Sequence, residues 1–169
     1  GASKSLKFNT DISKVDQYLR NAKDASSWMK ETESALKEIN AVLHRANELT
    51  VQAANGTNSQ DLDKIKDEIK ELKGHIIQVA NSTYAGRSLF TGFKTDKPLL
   101  DKDGNYNVDL NSNEIFVYNV GVAEAVSVNI LGNKVLGSVD ASGNPDYVSD
   151  VSGQTPGATP TDPPTPGEK

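Results

Sequence analysis

Leu62, Ile65, Ile69, Leu72, Ile76, Val79 and Thr83 step along this chain strictly by three and four. A repeat of about 3.5 residues brings all of them to one side of an α-helix and requires a second helix to cover that side as a supercoiled seam. Asn58 or Ser59 can cap the start of this helix by accepting an orphan backbone N–H, and Asp61 and Asp63 favour the positive end of its dipole. Upstream, from about Asp11 to Ala54, neither Pro nor Gly interrupts a run of good helix formers. One helix of about 60 Å is expected there. Its apolar residues Ile12, Val15, Leu19, Ala22, Met29, Leu36, Ile39, Leu43, Ala46, Leu49 and Ala53 keep a mostly three-and-four spacing, with a slip of register between Met29 and Leu36 where Thr32 and Glu33 intervene. Gly56 suits the left-handed position that ends a helix, and the short link from Asn55 to Ser59 forces the two helices antiparallel. The expectation is an αα-hairpin with an apolar seam.

Past Ala85-Gly86 the pattern changes to alternation and turn residues. Strands are expected over Ser88 to Lys94, Glu114 to Val120, Ala125 to Leu131 and Lys134 to Val139, with Asp103-Gly104 as a hairpin turn. From Ala141 to Lys169 the chain turns to Gly, Pro, Thr and Asp, the composition of an extended linker or tail. The apolar fraction of 36% is low for a compact globule and argues against a thick core. The fold class is therefore α+β: an N-terminal extension over 1–10 that looks like a cloning scar, an elongated antiparallel helical hairpin over 11–86, a small antiparallel β domain over 87–140, and a Pro/Thr/Gly-rich flexible tail over 141–169.

Several functions are disfavoured. The net charge is -5, and Lys64, Lys66, Lys70 and Lys73 interleave with Asp67, Glu68 and Glu71, so no nucleic-acid partner is expected. Cysteine is absent, so no disulfide or thiolate metal site forms, and no run of about 18 apolar residues implies membrane insertion. Asp101-Lys102-Asp103-Gly104-Asn105 invites a calcium reading, but an EF-hand count from Gly104 puts Leu99 at position one and Leu110 at position twelve; a plain hairpin turn is preferred. His44 and His75 lie on different helices, expected far from any acid cluster that would orient them, and no nucleophile elbow, phosphate loop or zinc-protease motif occurs. Neither enzyme activity nor a cofactor is expected. The sequons at Asn55 and Asn81 are read as coincidental.

Ser27-Trp28-Met29, Thr32-Glu33-Ser34-Ala35-Leu36-Lys37-Glu38-Ile39 and the run from Arg45-Ala46-Asn47-Glu48-Leu49 to Asn55-Gly56-Thr57 resemble the N-terminal half of the D1 domain of the flagellin superfamily. The stretch Ala80-Asn81-Ser82-Thr83-Tyr84-Ala85-Gly86-Arg87-Ser88-Leu89-Phe90-Thr91-Gly92-Phe93 through Pro98 is similar to the hook-filament junction branch, hook-associated protein 3, where flagellins usually carry a Phe-Asn-Gly type turn. The likeness covers about residues 12 to 138 and thins after Pro98. It implies a secreted structural subunit of the extracellular bacterial flagellum, exported by the flagellar type III pathway. It also implies packing in a ring of copies of itself between hook-associated protein 1 and flagellin. By the same resemblance the family's terminal helices are expected to be missing before Lys4 and after the proline-rich tail, so a fragment is expected. Filament flagellin is the alternative, and a non-flagellar coiled-coil adaptor a more distant one.

Three groups of residues are candidates for a subunit interface. Leu62, Ile65, Ile69, Leu72, Ile76 and Val79 form a stripe that a two-helix hairpin only partly covers, so weak self-association is expected. Arg45, Glu48 and Gln52 share a face suited to polar contacts with a neighbour or to solvated salt bridging. Trp28 is either an interface anchor or core packing against the second helix.

Overall fold

The computed structural model describes residues 2–56, 58–139 and 145–146. Helix α1, Ala2–Ala54, runs for 53 residues, and α2, Ser59–Ala80, for 22. The first helix starts earlier than Asp11, so the stretch expected as an extension continues the helix. Nothing from Ala2 to Thr10 breaks a helix, and lengthening an existing one adds a hydrogen bond per residue without a new nucleation cost. The hydroxyls of Thr10 and Ser13 donate back to the carbonyls of Leu6 and Asn9. Gly56 takes a φ of +81° after α1, and the Asn58 side chain accepts the Asp61 N–H at 2.9 Å to cap α2.

The seam is more regular than the hydropathy pattern implied. Ala25, Trp28, Thr32, Ala35, Ile39, Val42 and Leu49 are buried on α1, with Ala46 half-buried, and they step by three and four with no slip. Thr32 belongs to this stripe because its hydroxyl donates to the Trp28 carbonyl at 3.0 Å, leaving its methyl for packing. Arg45 reaches Glu68 and His75 reaches Glu38, each at 2.6 Å, which fixes the antiparallel register of the two helices.

Between α2 and residue 135 the small antiparallel β part consists of two short ribbons: β1 (Thr83–Tyr84) with β2 (Arg87–Ser88), and β3 (Val117–Asn119) with β4 (Ala125–Ser127). Ala85 and Gly86 both take positive φ, +49° and +76°, the geometry a two-residue hairpin loop requires. The strand expected over Ser88 to Lys94 stops at Ser88; Leu89, Phe90 and Thr91 then turn inward to the core. The strands expected over Glu114 to Val120 and Ala125 to Leu131 shorten because the Asn129 side chain replaces ladder bonds. It accepts the Phe116 N–H at 2.7 Å and donates to the Glu114 carbonyl at 2.8 Å. The Asp103-Gly104 turn is present and is flanked by a bridge between Leu100 and Tyr106.

The strand expected over Lys134 to Val139 is instead the short helix α3, Gly132–Leu136, with β5, Ser138–Val139, after it. Gly132 N–H donates to the Phe90 carbonyl at 2.8 Å, and Leu99 lies so close that a Cβ on Gly132 would meet its side chain at 2.4 Å. That close approach bends the chain out of an extended path. A first compact unit covers 1–135 and a second 136–169; β5 pairs with β6, Pro145–Asp146, in the second. Apart from Pro145 and Asp146, the tail expected over 141–169 lies outside the described residues.

Gly92 is the backbone position with the least tolerance. At a φ of +63°, a Cβ there would lie 2.4 Å from Glu114 Oε2 and 2.7 Å from Glu114 Cβ. Gly92→Ala is expected to cost at least about 2 kcal/mol of unfolding free energy, measured by chemical denaturation, by forcing strain and displacing the glutamate. Gly74→Ala, which meets nothing within 4 Å, is the control that should not destabilise.

Candidate subunit interface

Helix α1 carries a second apolar stripe beside the buried one. Met29, Leu36 and Leu43 each come directly after a buried seam residue, Trp28, Ala35 and Val42, and so lie about 100° further round the helix. Met29 and Leu43 are exposed, and the stripe continues through Ile12, Val15 and Leu19, which are 58%, 55% and 64% exposed. Where this stripe passes the β3–β4 hairpin, Ala22, Ala25 and Met29 of α1 and Val120 and Val126 line an open, mainly apolar groove.

The stripe expected on α2 divides in two. Ile65 and Val79 are buried, Leu72 and Ile76 are half-buried, and Leu62 and Ile69 remain 41% and 38% exposed. The divided burial results from a single covering helix: α1 closes over one flank of the heptad and leaves the other bare.

Trp28 is 1% exposed and has no surface to offer a neighbouring subunit; it is the centre of the chain's own aromatic cluster. Tyr84 and Phe116 meet its ring edge-on at centroid distances of 6.0 and 5.8 Å, and the Arg87 guanidinium sits over it at 4.9 Å. Phe93 packs on Phe116 at 5.4 Å, and Arg87 also reaches the Tyr118 hydroxyl at 3.4 Å. Trp28 is thus core packing within the chain, against Tyr84 of β1, Arg87 of β2 and Phe116.

Arg45 is engaged within the chain, donating to both Glu68 oxygens at 2.6 and 3.1 Å and to Glu48 at 3.2 Å. The Glu68 hydrogen bonds, with Glu48, raise its pKa further above the ordinary arginine value. These partners are largely exposed, so the network sets register more than it stabilises. Gln52 is exposed on the next turn of α1. His75 lies against Glu38, an acid distant in sequence that the antiparallel register brings beside it.

Three polar devices hold backbone in roles not assigned to these side chains from the sequence. Asn81, which stands out in the sequence only as a sequon, holds Leu100 by both its N–H and its carbonyl at 2.8 and 2.9 Å. Asp101 accepts the backbone N–H groups of Asp103 and Asn105 at 2.9 Å; the Asn105 bond leads in holding its pKa below the usual carboxylate value. Glu114, buried, accepts from Lys94 Nζ at 2.6 Å and from the Phe93 N–H at 3.1 Å, and Lys94 also donates to the Asp109 carbonyl.

Residues 1–95 match the bacterial flagellin N-terminal helical region. The chain is 34% identical over 163 residues, 95% of its length, to a flagellin of Escherichia coli O127:H6, of which it spans 28%. Among solved structures it is similar to a flagellar hook-associated protein from Vibrio parahaemolyticus, with a TM-score of 0.69 and 26% identity over 78% of this chain and 59% of that one. It is also similar to the Xanthomonas campestris protein FlgL, with a TM-score of 0.66 and 25% identity over 75% of this chain and 41% of that one.

The Lys94 hydrogen bond, with a smaller contribution from the Phe93 N–H, holds the Glu114 carboxyl below its ordinary pKa. In the window below about pH 4.3 the unfolded chain therefore binds more protons there than the folded one, and stability falls as pH falls through the folded pKa. Thermal unfolding measured against pH should show Glu114→Gln less stable at neutral pH and less acid-sensitive than the parent chain. Parallel curves for the two would show that the ion pair does not contribute.

Proposed function

The chain belongs to the bacterial flagellin family, and we propose that it acts as a structural subunit joining hook to filament, packing in a ring of its own copies between hook-associated protein 1 and flagellin. The observation that carries this reading is the pair of apolar stripes left bare by the hairpin: Leu62 and Ile69 on α2, and Ile12, Val15, Leu19, Met29 and Leu43 on α1. Fully covering a Leu, Ile, Val or Met side chain contributes about 1.5–3 kcal/mol. Stripes at helical spacing are satisfied by further helices. In the family such helices come from the C-terminal part of the same chain and from adjacent subunits.

The chemistry needed is adhesion, and the mechanism is geometric. The helical faces give axial and lateral contacts, while the aromatic cluster around Trp28 ties the small β ribbons to the side of α1. Export as an unfolded chain through the flagellar type III pathway is part of the same proposal, and a chain without cysteine suits it. Filament flagellin remains the second reading, because the curated relatives matched in sequence are flagellins. Likeness to FlgL structures and the Ala80 to Pro98 stretch favour the junction.

The test is a pull-down of the chain, extended to the length of its relatives, against hook-associated protein 1 and flagellin of the same organism. Retention of both supports the junction role, retention of flagellin alone supports a filament subunit, and retention of neither by a folded chain overturns both. Leu62→Asp with Ile69→Asp should weaken retention at least about tenfold while leaving the helical signal intact, since both side chains are exposed.

A further inference from the structure

Two peptide links in the chain are suited by sequence to cyclic-imide chemistry, in which a side-chain carbonyl is attacked by the next residue's backbone nitrogen: Asn55-Gly56 and Asp103-Gly104. Glycine is favourable because no side chain hinders its nitrogen. The structure separates the two. Gly104 N–H donates to the Asp101 carbonyl at 3.1 Å, and Lys73 crowds the position of its missing Cβ at 3.2 Å. Asn55 and Gly56 are both exposed, and nothing lies within 4 Å of the Cβ position of Gly56. Among the described residues neither the Asn55 side-chain amide nor the Gly56 N–H has a hydrogen-bond partner. Three other asparagines are restrained: Asn81 and Asn129 each use both side-chain heteroatoms to hold backbone, and Asn58 caps α2.

We propose that Asn55 is a site of spontaneous covalent modification, converting to aspartate and isoaspartate in the folded protein. The Gly56 nitrogen loses its proton and bonds to Asn55 Cγ, the Cγ–Nδ2 bond breaks, and ammonia leaves. Water then opens the ring at either carbonyl, so one amide is exchanged for one carboxylate with no change of oxidation state. The new charge falls at the negative end of the α1 dipole, and the iso product adds a backbone carbon to the short link before Asn58. Asn55 N–H closes the last turn of α1 onto the carbonyls of Val51 and Gln52 at 3.2 and 3.3 Å, so conversion loosens that turn.

The test incubates the purified chain in mildly alkaline buffer, with peptide mapping by mass and methyl labelling by an isoaspartyl methyltransferase. The Asn55 peptide should gain one mass unit and take the label at least about tenfold faster than the peptides carrying Asn81, Asn129 or Asp103, a barrier difference of one decade in rate. Asn55→Gln should remove the label. Labelling first at Asp103, even labelling of all asparagines, or conversion of Asn55 only after denaturation would each overturn the proposal. Hydrogen exchange at the Asn55 amide should be faster in the converted chain, and equal exchange would overturn the structural consequence.

Discussion

The buried stripe of α1, from Ala25 to Leu49, is the constraint on which both ends of the first unit depend. Its later part runs beside α2, where Glu38 meets His75 and Arg45 meets Glu68, and its earlier part, around Ala25 and Trp28, runs beside the ribbons beyond α2. Small residues make this possible. Ala25 and Ala35 are buried with little side-chain volume, and Thr32 contributes a methyl once its hydroxyl is bonded along the helix. Trp28 stands where the two partners change over, and it gathers Tyr84, Arg87 and Phe116 from segments far apart in sequence.

Because the covering elements are so short, much of the non-helical part is held by side chains acting in place of β ladders. Asn81 pairs with the backbone of Leu100, Asn129 with Glu114 and Phe116, and Glu114 with Phe93. Each amide supplies one donor and one acceptor, as a neighbouring strand does. Closely approached glycines complete the scheme: Gly92 leaves room for Glu114 and Gly132 for Leu99. The result is a small, specific core under a region with two- and three-residue strands, beside a helix whose other apolar face remains open. That combination ties function to fold, because the face not used internally is the face available to an assembly.

The sequence by itself determined the two helices, their antiparallel turn, the Asn58 cap, the Asp103-Gly104 turn and the α+β class. These rest on local physics: absence of breakers, capping chemistry, positive φ at glycine, and the heptad on Leu62 to Val79. It also showed that this heptad exceeds what one partner helix covers. Only the tertiary structure decided which stripe of α1 is buried, since Ala25, Thr32 and Ala35 are weaker hydropathy signals than Met29, Leu36 and Leu43 on the adjacent face. The strand that became α3 and the partners of Trp28, Arg45 and His75 were likewise settled by packing. Their causes are contacts between residues distant in sequence, such as Leu99 against Gly132 and Glu38 against His75, and no local pattern records which distant residue will arrive.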